Sequence, residues 1–164
     1  MNMENQHRKI VLGIGNILNR DEGVGVHAVR ALEDWIRISN PGLSPSIELL
    51  DGGTLGLSLL PLVEESSHLL ILDAVNTENE PGKIIERTKE QIPLYTDVKM
   101  SQHQVTFQEV LGLAKARQKL PFYLHLIGIQ PADLSIGVGL SPVVAEKIPQ
   151  VINRIVTILQ TWQE

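Results

Sequence analysis

Residues 10–26 read Ile-Val-Leu-Gly-Ile-Gly-Asn-Ile-Leu-Asn-Arg-Asp-Glu-Gly-Val-Gly-Val. The apolar run from Ile10 to Leu12 suits a buried strand; it breaks at Gly13 and Gly15, and helical periodicity resumes near Val24. In an open α/β sheet, ligands bind beyond the carboxyl ends of the strands. The polar turn residues Asn16, Arg20, Asp21 and Glu22 therefore mark where chemistry should be sought. Gly13-Ile14-Gly15 opens like a dinucleotide fingerprint, but the third glycine would fall at Leu18, and two acids nearby would repel a pyrophosphate. There is no Gly-Lys-Ser/Thr, which removes a P-loop.

The rest of the chain repeats the alternation. Val26, Val29, Leu32 and Ile36 recur at helical spacing until Asn40-Pro41-Gly42. Ile47–Leu50 forms a second strand leading into Asp51-Gly52-Gly53-Thr54, and 55–63 a short helix interrupted near Pro61. Leu69–Leu72 is continuously apolar, as a parallel strand covered on both faces should be, and it ends in Asp73-Ala74. Lys83–Lys89 suits an edge strand, Ser101 can cap a helix carrying Val105, Val110, Leu111 and Ala114, and Tyr123–Ile129 is a further strand. Ser141-Pro142 starts the last helical stretch by hydroxyl cap and proline, with Pro149 kinking or restarting it. The pattern predicts an α/β fold: a twisted, mostly parallel central sheet with helices on both faces.

At 164 residues the chain is expected to form one domain, with residues 1–8 a flexible tail. Hydrophobic residues make up 43% and the net charge is −5 with no basic run, so a nucleic-acid partner is not expected. The first residues lack an apolar signal region and no apolar run could span a bilayer; the expectation is a cytoplasmic protein without membrane insertion. With no cysteine there is no disulfide, thiol nucleophile or thiolate ligand, so any metal must be held by His, Asp or Glu.

If the first three strands are parallel, Asp21/Glu22, Asp51 and Asp73 share one rim. Such a cluster is strained by repulsion unless a cation or a proton sits among the acids. Some of these residues have simpler uses: Asp21 as a helix N-cap, Asp51 as a turn-former before Gly-Gly. Glu22 among glycines has no such use, and Asp73 ends a strand. His103, placed just inside the helix that Ser101 would cap, should stay neutral because the helix dipole disfavours an imidazolium there. On position alone, a plain surface role fits His103 equally well. His7, His27, His68 and His125 suit ordinary surface or hydrogen-bonded roles.

Taken together, five stretches resemble the hydrogenase maturation endopeptidases, the nickel-dependent processing proteases of NiFe-hydrogenase large subunits. They are 13–25, Asp51-Gly52-Gly53-Thr54, the strand ending Asp73-Ala74, Ser101-Gln102-His103-Gln104 and Gly139-Leu140-Ser141-Pro142, in register over almost the whole chain. The resemblance implies a nickel-binding site of Glu22, Asp73 and His103, with Asp51 a further acid linked to substrate handling. It implies removal of a C-terminal peptide from the large-subunit precursor after nickel insertion. It also implies that the substrate presents the nickel, so that no metal need be bound permanently. Two carboxylates and an imidazole suit a borderline divalent ion. The competing expectations are a resident-metal peptidase, against which the missing His-Glu-x-x-His pattern counts, and a nickel-checking chaperone that binds without cutting.

Overall fold

The computed structural model describes residues 6–43, 46–94 and 106–163. Five strands, β1 (Arg8–Ile14), β2 (Ile47–Gly53), β3 (Ser66–Ala74), β4 (Ile84–Thr88) and β5 (Tyr123–Ile129), form one sheet in the order β2-β1-β3-β5-β4. Four strands run parallel, and β4 lies antiparallel on the edge beside β5. The strands of the parallel core are apolar at consecutive positions because both faces are covered. Ile10, Val11 and Leu12 are all fully buried, with Val11 packing to one side of the sheet and its neighbours to the other.

One side is covered by α1 (Val24–Ser39) and α5 (Ile148–Thr161), whose Val29, Leu32, Ile152 and Ile155 meet Val11, Leu70 and Leu72. The other is covered by α2 (Leu60–Glu65) and α3 (Phe107–Ala116), whose Val63, Val110 and Leu111 meet Ile10, Leu12 and Ile71. The result is the three-layer α/β arrangement expected from the alternation. Among the described residues no helix is long and apolar enough to cross a membrane.

Several local features differ from the sequence expectations. Arg8, placed by the sequence in a flexible tail, opens β1 and pairs with Glu48 at 2.7 Å and Glu65 at 2.8 Å. The helix expected to start at Ser101 starts at Phe107. Thr106 is its N-cap, and a reciprocal bond from Glu109 back to the Thr106 N–H closes a capping box. Ser101 and His103 lie outside the described residues. Ser141 does precede a short helix, α4 (Pro142–Ala145), but its hydroxyl caps nothing and turns instead to Asp21. Pro149 sits in the first turn of a new helix, α5, which starts at Ile148, so the proline restarts the helical stretch rather than kinking it.

Candidate active site

The chain leaves β1 to make β2 on one side and returns across β1 to make β3 on the other. The carboxyl ends of β1 and β3 are therefore the switch point of the sheet, where crossovers diverge and leave a crevice. Glu22 follows β1 in a short 3-10 turn, Arg20–Gly23, and Asp73 is the penultimate residue of β3. A pocket of about 230 Å³ lies there. Ile14, Gly15 and Glu22 wall it from the first loop, Gly53, Thr54, Gly56 and Leu59 from the end of β2 and the turn after it, and Thr106, Phe107 and Gln108 from the start of α3; Asp73 completes the lining.

Close backbone approach makes the crevice. A Cβ on Gly25 would stand 2.0 Å from the Leu72 carbonyl oxygen and 2.5 Å from that of Ile14, so only glycine lets the start of α1 settle onto β1 and β3. That contact sets the loop bearing Glu22 beside the strand end bearing Asp73.

The two acids have different surroundings. Glu22 is exposed at the pocket edge. Asp73 is set deeper: burial raises its pKa, the Ala74 N–H bond at 2.8 Å opposes this, and the Glu22 charge raises it further, so that it is pushed up to about 7. The site thus sets an exposed carboxylate beside a deeper one that gains or loses a proton near neutrality. It is suited to accept positive charge, whether as a proton or as a cation. Among the described residues no group of three His, Asp or Glu side chains is arranged to hold a metal. His103, the third residue drawn from the sequence, precedes the pocket-lining Thr106 by three positions and lies outside the described residues.

Asp51 does not line the pocket. Its Oδ1 accepts the Gly53 N–H at 2.9 Å and its Oδ2 faces Arg30 at 3.3 Å, so it shapes the turn from which Gly53 and Thr54 form a wall. His68 and His125 sit elsewhere: His68 bonds Ser67 and stacks on Tyr123, and His125 bonds Glu86 at 2.8 Å.

Asp21 plays a part its sequence position did not reveal. It is fully buried and caps no helix. Its carboxylate accepts the backbone N–H groups of Ala132, Asp133 and Ser141 and the Ser141 hydroxyl, at 2.7–2.9 Å. Burial raises its pKa, but these hydrogen bonds outweigh that and hold it below the usual carboxylate value. The segment 131–141 is thereby strapped to the loop carrying Glu22, with Arg20 adding a backbone bond to the Gly137 carbonyl. The sequence signal was available only as the pairing of Asp21 with the later Gly139-Leu140-Ser141-Pro142 stretch.

Comparison with known proteins agrees with this architecture. The family model described as hydrogenase maturation protease matches residues 26–158. The hydrogenase expression/formation protein HupD of Rhizobium leguminosarum bv. viciae is 41% identical, covering 94% of this chain and 75% of its own. The hydrogenase 2 maturation protease of Escherichia coli is 36% identical, covering 93% of this chain and 91% of its own. The structure of the hydrogenase maturating endopeptidase HybD from E. coli superposes with a TM-score of 0.79 at 33% identity, over 94% of this chain and 93% of that one. With its pocket at the switch point of the same fold, the chain belongs to the hydrogenase maturation protease family and is a peptide-bond hydrolase.

Proposed function

We propose that this protein removes a C-terminal peptide from the large-subunit precursor of a NiFe hydrogenase once nickel has been inserted. On this reading Glu22, Asp73 and His103 meet the nickel that the precursor itself carries. The observation that carries the reading is the convergence of Glu22, from the turn after β1, and Asp73, from the end of β3, in one pocket, where their repulsion and the burial of Asp73 favour an arriving cation. Carboxylate and imidazole donors suit a borderline divalent ion such as nickel. The chain has no cysteine to offer, so any thiolate ligands belong to the precursor. His103 supplies the third donor, from the segment just before the pocket-lining Thr106.

The chain's own residues then have distinct tasks. Glu22 and Asp73 orient the metal-bearing region against the pocket. Asp73, half-protonated near neutrality in the empty pocket, gives up its proton as the cation arrives, as a carboxylate ligand must. Asp51 braces the Gly53-Thr54 wall along which the substrate chain runs. A requirement for nickel in the substrate would prevent cutting before the cofactor is assembled.

The test is to incubate the purified protein with nickel-loaded and nickel-free precursor and to measure the mass of the precursor's C-terminus. Loss of a peptide from the loaded form alone is expected. Equal cleavage of both forms would overturn the reading in favour of a resident-metal peptidase.

A further inference from the structure

Among the described residues eight large apolar side chains stand exposed, and six of them, none in the pocket lining itself, lie on the segments that leave the carboxyl ends of β1, β2 and β5, the edge of the sheet that holds the Glu22/Asp73 pocket. On one side are Leu18, Leu134, Ile136 and Val138, with Ile136 87% and Val138 77% exposed. On the other are Leu55 and Leu57, in the turn that also supplies Gly53, Thr54 and Gly56 to the pocket wall. The remaining two, Ile38 near the end of α1 and Phe122 just before β5, belong to the opposite end of the sheet. Isolated exposed apolar residues need no explanation, but a concentration of them around a site marks an interaction surface.

The larger group is also held rigidly. The Gly137 N–H donates to the Leu18 carbonyl at 2.8 Å, the Arg20 N–H to the Gly137 carbonyl at 3.2 Å, and the buried Asp21 carboxylate anchors both ends of the segment. A loop so constrained presents its apolar side chains in place before a partner arrives, which lowers the ordering cost of binding.

The occupant follows from the enzyme class. The substrate is a polypeptide, and a 230 Å³ pocket holds only a few of its side chains. A specific protein–protein contact buries about 800 Å² per partner, so most of the recognition area must lie outside the pocket and be continuous with it. We propose that these two apolar rims dock the folded body of the polypeptide substrate, gripping an apolar face beside the segment that enters the pocket. Naming that body as the large-subunit precursor rests on the function proposed above.

The experiment compares wild type, the triple variant Leu134→Ser/Ile136→Ser/Val138→Ser, and the control Ile38→Ser/Phe122→Ser. Each is assayed for binding and cleavage of nickel-loaded precursor and for its sedimentation behaviour. The triple variant should lose at least tenfold in kcat/KM and in affinity, through KM, while the control stays within twofold of wild type. If the triple variant misfolds, Ile136→Ser alone is read in the same assay and should lose at least threefold. Unchanged KM and affinity would overturn the proposal. So would a wild-type dimer that dissociates in the triple variant with precursor affinity intact, since the surface would then serve self-association. A wild type that neither binds nor cleaves the precursor would instead refute the substrate assignment, before any variant is compared.

Discussion

Ser141 gives the Asp21 carboxylate two hydrogen bonds, from its backbone N–H at 2.8 Å and from its hydroxyl at 2.7 Å, across 120 residues of sequence. With the N–H groups of Ala132 and Asp133, these leave the buried acid fully engaged next to Glu22. The strap holds both the loop that carries Glu22 and the apolar segment beside it.

Replacing Ser141 with Ala should therefore cost roughly 1.5–3 kcal/mol, the usual worth of a hydrogen bond to a buried charge. Asp21→Asn should cost more, because an amide N–H₂ would face N–H donors left without an acceptor. Asp21 is held below its ordinary value, so its contribution is present above the unfolded-state pKa of about 3.9 and is lost as pH falls through the folded value. Denaturant melts from pH 3 to 6 should show this acid-side loss in wild type and a shallower one in Asp21→Asn. Identical profiles would refute the strap.

Asp73 has the opposite sign. Its folded pKa of about 7 lies above its ordinary 3.8, so between these values the unfolded chain releases a proton that the folded chain keeps. Stability from this group is complete below about pH 4 and declines towards pH 7, by at most about 1.4 kcal/mol per pH unit. Asp73→Asn should flatten that decline and leave the protein as stable as wild type or more so at pH 7.5. A sharp fall in melting temperature in the variant would show that Asp73 serves the fold rather than the site.

Gly25→Ala tests the close approach that forms the crevice. The added carbon meets backbone, not a flexible side chain, and the Leu72 and Ile14 carbonyls cannot both retreat without breaking the parallel pairing of β1 and β3. A loss of about 3 kcal/mol is expected, at the upper end for overpacked positions. A loss below about 1 kcal/mol by urea titration would mean that α1 can lift from the sheet.

Much of this architecture was legible because parallel strands buried on both faces must be continuously apolar, and Ile10–Leu12 and Leu69–Leu72 are. The rim acids followed from the ends of those runs. What stayed hidden depended on long-range partners. Asp21 looks like a helix cap from its neighbours alone, and its donors lie more than 110 residues away. The start of α3 is ambiguous in sequence because Ser101 with Gln104 and Thr106 with Glu109 both spell a capping box, and the structure begins the helix after Thr106. Asp51 reads equally as a turn-former or a site acid, and its bonds to Gly53 and Arg30 give it the turn.

The processing reaction itself provides the last test. Glu22→Gln, Asp73→Asn and His103→Ala each remove one of the three donors proposed to meet the precursor's nickel. Changes to groups that merely support a metal ligand cost about 10–100-fold in affinity or activity, so loss of a donor should cost at least about 100-fold in cleavage of nickel-loaded precursor. The two carboxylate variants should also differ in their pH response. Glu22→Gln removes a negative charge that helps to raise Asp73, so its residual activity profile should shift to lower pH. Asp73→Asn should abolish the inflection near pH 7 altogether. Because the apolar rims are intact, all three variants should still bind the precursor with wild-type affinity to within about tenfold, and a pull-down with loaded precursor measures this. Activity that persists within threefold of wild type in any of the three would remove that residue from the site.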